Sequence, residues 1–440
     1  MPEEEASADL STGAYLVLGL LGICVLLVFF RSIASFFRRA SAGPTVSQPK
    51  PRKAKKLPDK LRPPPPLPQE EEPAQAKAPG ISLKSLQKRA QAAQKTKGHG
   101  PDDHDKGSQH PLFLGSFKGH RDNIAALAWS RDGAYLATAC DDQSIRMFAA
   151  VDKGNPLRVR NFNLVPSCVA FGQGSNQLLA VLQSYVDGAV LTSVVPNQHK
   201  SGPAASFDTE WELPKLHGGK EHAKQMLSAQ GIVVVLSETS QMRLVSLTGQ
   251  PLTIIETAGL TNHGAALSHD GRFLAAATFA ADIKVHEIRY NRQGGFESVS
   301  KVMDLKGHKR QVMCVAFSPD STRAAIASQD GTWSVWNIDV RFRQQEDPKR
   351  LLQQPQEVPS SQCYSHLAYG ARHVLAAVYG STLHFLNAES GQLLESIPDA
   401  HDQAITALQW APQQSDDKAP WSLATASKDR KLRLWRMPEP

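Results

Sequence analysis

The chain has 440 residues, of which 41% are hydrophobic and 21% are charged, and its formal net charge is +7. This length and apolar content support one large folded unit with extensions. The five cysteines show no pairing pattern and no CxxC spacing, which excludes a disulfide framework, and we expect buried, reduced thiols in a domain that faces the cytosol.

An uncharged apolar segment lies close to the N-terminus. Residues 13–30 read GAYLVLGLLGICVLLVFF, and as a helix they would be about 27 Å long, close to the thickness of an endoplasmic reticulum bilayer. The residues before this segment are acidic, whereas a cleavable signal peptide, the alternative, begins with basic residues. Basic residues follow it, and basic flanks stay in the cytosol. We therefore expect a single-pass anchor, with residues 1–12 in the lumen and the remainder of the chain in the cytosol.

Residues 31–109 have the composition of a disordered linker rich in Pro, Lys and Glu. Between Arg31 and Lys97 there are sixteen Lys and Arg residues against four Asp and Glu residues, so the excess positive charge of the chain lies here. Three interpretations remain open: a solvated spacer, attraction to anionic lipid, and RNA or ribosome contact through phosphate groups. No aromatic residue lies among these lysines, so sequence-specific RNA recognition is not predicted.

Three segments of the remaining chain share one pattern. They begin at Gly119, Gly307 and Ala400. In the first two a His precedes an Asp by 22 residues, and in the last two an Asp precedes a Trp by six residues. Each copy reads as three short antiparallel strands joined by turns, with a fourth strand between copies. In the last copy the polar stretch QQSDDKAP, residues 413–420, predicts a loop insertion.

Four weaker copies keep the alternation of strands and turns without these marks. They cover residues 166–195, 221–250, 262–288 and 360–387. His222 is the candidate for the repeated histidine in the second of them, and His286 in the third stands where the pattern has Trp. Together the copies predict seven blades over residues 110–440, at about 47 residues per blade. The strand in residues 110–117 has no blade of its own, and we expect it to close the ring by pairing with the last copy.

These marks resemble the WD40 repeat family, and the resemblance implies an all-β fold, a seven-bladed β-propeller. Each blade of that family joins the His, the Asp of the tight turn, a strand Trp and a hydroxyl group in one buried network. By position, the networks implied here are His120, Thr138 and Asp142; His308, Asp330 and Trp336; and His401, Thr425, Asp429 and Trp435. Phe148 replaces the indole in the first network, and Ile326 stands at the hydroxyl position of the second. We expect both networks to be shorter for this reason.

A His and an Asp near a hydroxyl group also suggest a hydrolase triad. Because the pair recurs once per copy, whereas an enzyme has one active site, we interpret it as part of the scaffold. The sequence has no phosphate-binding glycine loop, HExxH or GxSxG. His99, His104 and His110 lie in a glycine-rich stretch without a defined ligand spacing. We expect no enzymatic activity, no cofactor, no metal site and no small-molecule substrate.

The stretches GAYLATACDDQSIRMF and SHDGRFLAAATFAADIKVHEI, with the apolar segment and the basic linker, resemble the transducin beta-like family of WD40 proteins. The resemblance implies an endoplasmic reticulum membrane protein. It also implies links to the unfolded protein response, through a stress kinase that acts on translation initiation, and to RNA or ribosomes. We therefore predict a membrane-anchored scaffold whose cytosolic propeller binds proteins. Two alternatives are a nucleotide-exchange regulator of a vesicle-coat GTPase, although such propellers are anchored at the C-terminal end, and a secreted propeller.

Basic loops flank the copy that begins at Gly307 and supply a candidate partner-binding patch, against the alternative of ordinary solvated charge. The residues of the patch are Lys306, Lys309, Arg310, Arg341, Arg343, Lys349 and Arg350. Trp333 alternates with Val335 on the predicted strand, so we expect Trp333 to pack in the core and not to bind a partner.

Overall fold

The computed structural model describes residues 106–152, 154–172, 174–184, 188–197, 206–217, 221–257, 260–412 and 421–439. The predicted lumenal segment, the anchor at 13–30, the linker up to residue 105 and the loop insertion at 413–420 lie outside the described residues. The last residues of the predicted linker, Lys106–Gln109, form a short 3-10 helix. No helix in the described ranges is both long enough and apolar enough to span a bilayer.

The described residues form β-strands throughout, interrupted by two further 3-10 turns at Phe342–Gln344 and Ala371–His373. The first strands in chain order are β1 Phe113–Phe117, β2 Ile124–Trp129, β3 Tyr135–Cys140, β4 Ser144–Ala149, β5 Arg158–Asn161, β6 Val165–Phe171, β7 Leu178–Ser184, β8 Gly188–Pro196, β9 Phe207–Leu213, β10 Ala223–Ala229, β11 Ile232–Ser237, β12 Gln241–Ser246 and β13 Pro251–Glu256. The remaining strands are β14 Asn262–Leu267, β15 Phe273–Thr278, β16 Ile283–Tyr290, β17 Phe296–Leu305, β18 Val312–Phe317, β19 Arg323–Ser328, β20 Thr332–Asn337, β21 Lys349–Pro355, β22 His366–Tyr369, β23 Val374–Tyr379, β24 Thr382–Asn387, β25 Leu393–Ile397, β26 Ile405–Trp410, β27 Ser422–Ser427 and β28 Leu432–Arg436.

These strands form seven antiparallel sheets of four strands each, which are the blades of a propeller. Blades 1 to 6 take consecutive strands, from β2–β5 in blade 1 to β22–β25 in blade 6. Blade 7 consists of β26, β27 and β28 with β1 as its outer strand. The first strand of each blade contacts the first strand of the next, and β26 contacts β2, so the ring is closed. The predicted seven blades and the predicted closing strand are both confirmed.

The position of a strand in its blade follows from its residues. The second strands are buried on both sides and read as continuous small or branched apolar runs, such as IVVVLS in β11. The outer strands face solvent and are polar, such as KRLLQQP in β21. A Gly with positive φ precedes two of the histidines: Gly119 at +110° and Gly307 at +124°. This backbone conformation favours glycine because it has no Cβ.

The hydrophobic core is divided into seven clusters, each lying between two adjacent blades. Trp333 and Trp336 are three residues apart on β20 and therefore point to opposite sides of blade 5. Trp333 packs against blade 6 and is 1% exposed, whereas Trp336 packs against blade 4. The prediction that Trp333 is a core residue is confirmed.

Four cysteines lie in the described ranges, and all four are free thiols. Cys140, Cys168 and Cys314 are buried in strands, as expected, and burial raises the pKa of Cys168 to about 12. Cys363 differs from the prediction, because it lies half-buried in the loop that precedes β22.

Candidate interaction site and its histidine networks

The two ends of the blades form the two faces of the ring. Within each antiparallel blade, the loop that leads into the first strand lies at the same end as the turn between the second and third strands. His120, His308 and His401 precede the first strands of blades 1, 5 and 7. We call the side that carries these residues the histidine face and the other side the opposite face.

Blade 7 contains the complete network of four side chains. Trp435 Nε1 donates a hydrogen bond to Thr425 Oγ1 (2.8 Å), and this hydroxyl donates in turn to His401 Nε2 (2.8 Å). His401 Nδ1 donates to Asp429 Oδ2 (2.9 Å). The order of donors requires a neutral imidazole with its proton on Nδ1. Burial by itself raises the pKa of Asp429, but its interactions with His401 and the hydrogen bonds from Lys431 N and Asp402 N together outweigh burial, and the pKa falls to about 2.

Blade 5 contains a network of the same length, with a hydroxyl that the sequence pattern did not identify. Trp336 Nε1 donates to Ser334 Oγ (3.1 Å), which bonds to His308 Nε2 (2.8 Å). His308 Nδ1 then donates to Asp330 Oδ2 (3.1 Å). Ile326 does stand at the position of Thr425, but the network is not shortened. The correction has a simple cause: Ser334 is the register partner of Ile326 on the neighbouring strand, so its hydroxyl reaches the same point.

In blade 1 the expected hydrogen bond between His120 and Asp142 is absent. His120 Nε2 bonds to Thr138 Oγ1 (2.8 Å), but Asp142 does not bond to the imidazole, and His120 Nδ1 is buried with no hydrogen-bond partner among the described residues. Asp142 instead forms an ion pair with Arg146 (2.6 Å) and accepts a hydrogen bond from Ser144. Burial and then the charge of Arg146 lower the pKa of His120 to about 3. The network is therefore shorter than the absence of an indole at Phe148 alone predicts.

The competing arginine recurs in two other blades and was missed in the sequence. Arg146 lies opposite Thr138 in the register of blade 1, and Arg433 lies opposite Thr425 in blade 7. Arg433 is fully buried and donates to the carbonyl oxygen of Ala400. Arg243 holds the corresponding position in blade 3, opposite Val235. The signal was a fixed spacing, since Arg146 and Arg433 each follow the turn Asp by four residues.

The weaker blades contain buried histidines without this network. In blade 3 the buried residue is His217 and not the predicted His222, which is half-buried next to β10. Burial and then Arg243 lower the pKa of His217 to about 4. In blade 4 His286 lies opposite Leu274, the register position that Trp435 holds in blade 7, so its predicted place is confirmed. The described residues contain no group of three or more His, Cys, Asp or Glu that could hold a metal ion.

The seven residues of the predicted basic patch are all exposed, but they form two separate sets. Lys306, Lys309 and Arg310 lie in the loop before β18, on the histidine face. Arg341 and Arg343 lie in the loop between β20 and β21, which the register places at the other end of blade 5. The single patch expected from the sequence is thus divided, because alternate loops of an antiparallel sheet lie at opposite ends. Partner binding by either set stays a prediction.

The set on the opposite face is largely engaged with acidic side chains or aromatic rings. Arg343 lies 3.7 Å from the buried Glu287, which also pairs with Arg272 and Arg289. Lys349 lies 3.7 Å from Glu346. Arg350, on β21, reaches towards the other set: its guanidinium lies over the indole of Trp336, 5.8 Å from the ring centroid, and lies next to Gly307 in the loop before β18.

The set on the histidine face is held by its backbone. Lys309 N donates to Asp330 Oδ2 (2.9 Å), so the carboxylate that accepts the hydrogen bond from His308 also fixes the loop. No ion pair is found for the side chains of Lys306, Lys309 and Arg310 within the described ranges. The network therefore presents these cations from a rigid loop.

Comparison with known proteins identifies the repeats and their relatives. The family model "WD domain, G-beta repeat" matches residues 112–148, 299–337 and 391–436. Each match takes in the first three strands of blade 1, 5 or 7 and all or part of the outer strand that precedes them in the chain. Transducin beta-like protein 2 from Homo sapiens is 30% identical over 68% of this chain and 67% of its own length, and that from Mus musculus is 28% identical over 74% and 73%. Serine-threonine kinase receptor-associated protein from Gallus gallus is 26% identical over 52% of this chain and 70% of its own length.

The matched segments contain the three histidine networks described above, and one of the relatives is named for its association with a serine-threonine kinase receptor. WD40 propellers are scaffolds for protein interaction, and the closed ring described here has that architecture. The chain belongs to the WD40 repeat family and, within it, to the family of transducin beta-like protein 2.

Proposed function

We propose that this protein is a membrane-anchored scaffold that binds a protein partner on the histidine face of its propeller. The observation that carries the proposal is the loop before β18. Its cations Lys306, Lys309 and Arg310 are exposed, while its backbone is fixed to the buried pair of His308 and Asp330. A preorganised loop loses little conformational entropy when it binds, so its charges can contribute to affinity and to partner choice.

The kind of partner is suggested by relatives. One relative is named for its association with a serine-threonine kinase receptor, and the transducin beta-like family resembled by the sequence is linked to a stress kinase and to translation. We extend this to the present chain as a proposal: its propeller binds a stress kinase or a component of the translation machinery. No enzymatic step is assigned to the protein.

The location of the scaffold is proposed from the N-terminal sequence. Residues 13–30 carry no charge, acidic residues precede them and basic residues follow them. This pattern supports a single-pass anchor in the endoplasmic reticulum membrane, with a lumenal N-terminus and a cytosolic propeller. The sixteen basic residues between Arg31 and Lys97 would then lie next to the cytosolic leaflet, where they can contact anionic lipid, RNA or the ribosome.

The topology has a direct test. An N-glycosylation acceptor is placed in the exposed loop at residues 291–295, and a second in residues 1–12 of a separate variant. We expect a glycan on the N-terminal acceptor only, because acceptors are modified in the lumen. A glycan on the propeller acceptor would contradict the proposed orientation.

The scaffold function is tested by proximity labelling with the full-length chain, with and without endoplasmic reticulum stress. The histidine-face variant K306E/K309E/R310E and the smaller variant K309E/R310E are compared with R341E/R343E, which reverses two exposed charges on the opposite face. We expect the two histidine-face variants to lose the labelled kinase or translation components and R341E/R343E to retain them. Identical labelling by wild type and all three variants, or a wild-type set without such components, would remove the proposed function.

A further inference from the structure

An exposed apolar pair lies on the histidine face of blade 4. Leu260, in the loop before β14, is 82% exposed, and Phe279, in the turn after β15, is 57% exposed. The two are neighbours, because Phe279 N donates to the carbonyl oxygen of Thr261 (2.9 Å). The largest contiguous apolar patch on a soluble protein is often an interaction site.

The pair is peculiar to this blade among those that can be compared. The backbone bond that joins Phe279 to Thr261 has counterparts in blades 1, 3, 5 and 7. The residues that correspond to Leu260 and Phe279 are Asp122 and Asp141, Glu221 and Glu238, Arg310 and Gln329, and Gln403 and Lys428. Every one of these residues is polar or charged. The blade architecture therefore does not require apolar side chains at these two positions.

Blade 4 has also lost the acid of the histidine network at this turn. Ala280 follows Phe279 and stands where Asp142, Asp330 and Asp429 stand in the blades that keep a network. Without that carboxylate, the side chain at position 280 cannot accept a hydrogen bond from the loop before β14, which the backbone bond from Phe279 N to Thr261 still joins to the turn. Its side chains are then available to form a surface.

The apolar pair lies between two charged neighbours of opposite sign. On one side Val312 N donates to the carbonyl oxygen of Ala280 (3.1 Å), which brings the exposed Lys309 and Arg310 of blade 5 next to the pair. On the other side Asn262 N donates to the carbonyl oxygen of Glu238 (2.9 Å), and Glu238 is exposed in blade 3. The surface is thus basic, apolar and acidic in order across three blades.

We propose that this surface docks a segment of a partner protein that carries a bulky apolar side chain beside an acidic one. The apolar side chain covers Leu260 and Phe279, and the acidic side chain faces Lys309 and Arg310. A buried apolar anchor with a charged rim is the arrangement by which interfaces gain affinity and orientation. The negative charge of Glu238 would repel an anionic bilayer or a nucleic acid strand, so neither is the expected ligand of this surface. The inference rests on the proposed partner-binding function and specifies its site and the chemistry of its ligand.

The test uses the full-length protein in nanodiscs of neutral lipid and a displayed library of random peptides as the probe. We expect enriched peptides to carry Trp, Phe or Leu close to Asp or Glu. Their dissociation constants are then measured on wild type, on L260S/F279S and on the control V151S/L351S, which alters two exposed apolar residues elsewhere. We expect L260S/F279S to weaken binding about tenfold or more and the control to leave it unchanged.

The charge order is tested separately, so that the result does not depend on one variant. K309E/R310E should weaken the binding of the acidic peptides, and peptides with Lys in place of Asp or Glu should bind that variant again. Enriched peptides without acidic residues, or equal affinity for wild type and L260S/F279S, would overturn the inference. Two further results would overturn the inference. If L260S/F279S abolished self-association of the protein, the surface would bind a second copy, and if it abolished binding to anionic vesicles, the surface would bind a membrane.

The failure of this inference and the failure of the proposed function give different results. If proximity labelling in cells is lost in K306E/K309E/R310E but kept in L260S/F279S, the partner-binding function stands and the apolar site is wrong. If wild type itself labels none of the proposed components, the function fails whatever the peptides bind.

Discussion

Blades 1 and 7 meet where the ring closes, and they carry the same His, Thr and Asp at the same positions. Blade 7 joins them in one line of hydrogen bonds that ends at Asp429. In blade 1 the line stops at His120, because Asp142 is paired with Arg146 at 2.6 Å. The comparison shows that a matching set of residues does not determine the bonds between them. A cation within reach of the acid decides which bond forms.

The arginine of blade 7 acts differently because it has another acceptor. Arg433 donates to the carbonyl oxygen of Ala400 and lies 4.0 Å from Asp429. Asp429 is thereby left to accept from His401. A guanidinium in direct contact forms a stronger bond to a carboxylate than a neutral imidazole does, so Asp142 remains with Arg146.

The largest expected difference between the two blades follows from removing the histidine. His401→Phe removes the hydrogen bonds that the buried Asp429 and Thr425 make to the imidazole, and should lower the free energy of unfolding by about 3 kcal/mol. His120→Phe removes one hydrogen bond and should lower it by about 1 kcal/mol. Urea unfolding of the full-length protein, followed by tryptophan fluorescence, measures both. Equal losses would mean that the two networks are equivalent in solution.

Blade 5 sharpens the comparison because its hydroxyl comes from another strand. Ser334→Ala leaves His308 and Trp336 without their shared partner and should lower the free energy of unfolding by about 2 kcal/mol. The double variant S334A/I326T returns a hydroxyl to the position that Thr425 holds in blade 7. We expect it to recover part of the loss in the same urea measurement, and a double variant less stable than S334A would contradict the geometric equivalence of the two positions.

The two blades should also differ in the pH range over which they contribute to stability. Burial and Arg146 lower the pKa of His120 to about 3, so between pH 6.5 and 3 the unfolded chain binds a proton that the native chain does not. Its contribution is complete above pH 6.5 and is lost as the pH falls. Asp429, with a pKa of about 2, contributes fully above about pH 4 and loses its contribution below that.

Unfolding at pH 7 and pH 5.5 separates these ranges. Wild type should lose about 1 kcal/mol more than His120→Phe over this interval, because the variant has no imidazole to protonate. An Asp429→Asn variant serves as the control, and its loss over the same interval should equal that of wild type. A His120→Phe variant with an unchanged pH dependence would show that His120 is not held neutral.

The sequence was sufficient for the architecture, because each blade repeats one arrangement of strands and turns. Strands β18 and β19, the turn that joins β19 to β20 and the closing strand Phe113–Phe117 all lie where the pattern predicted them. The repeated sequence pattern predicts these strands and turns directly, since a strand that is buried on both faces must consist almost entirely of apolar residues.

The bonds inside the blades and the arrangement of the faces were less accessible from sequence. Ser334 was overlooked because it lies eight residues from Ile326 in sequence and opposite to it in register. The first strands of six of the seven blades have a register shift near their start, for example between Val312 and Cys314, and no local sequence pattern predicted it. The basic residues around blade 5 were grouped by nearness in sequence, whereas the three strands β18, β19 and β20 lie between Lys309 and Arg341, and this odd number of strands places them on opposite faces.

The smallest expected effect concerns an exposed ion pair of blade 7, set against the buried pair of blade 1. Lys431 Nζ lies 2.7 Å from Asp402 Oδ2, but the two side chains are 33% and 54% exposed. The pair of Asp142 and Arg146 is of similar length and only 10% and 7% exposed. Solvent screening and the entropy of two long side chains offset most of the attraction at an exposed site.

Asp402→Ala should therefore change the free energy of unfolding by about 0.5 kcal/mol or less. Asp142→Ala should lower it by about 3 kcal/mol, because Arg146 would remain buried without its counterion. Parallel urea titrations at low and high salt would check both values, and a large loss in Asp402→Ala would show that distance, and not burial, sets the strength of these pairs.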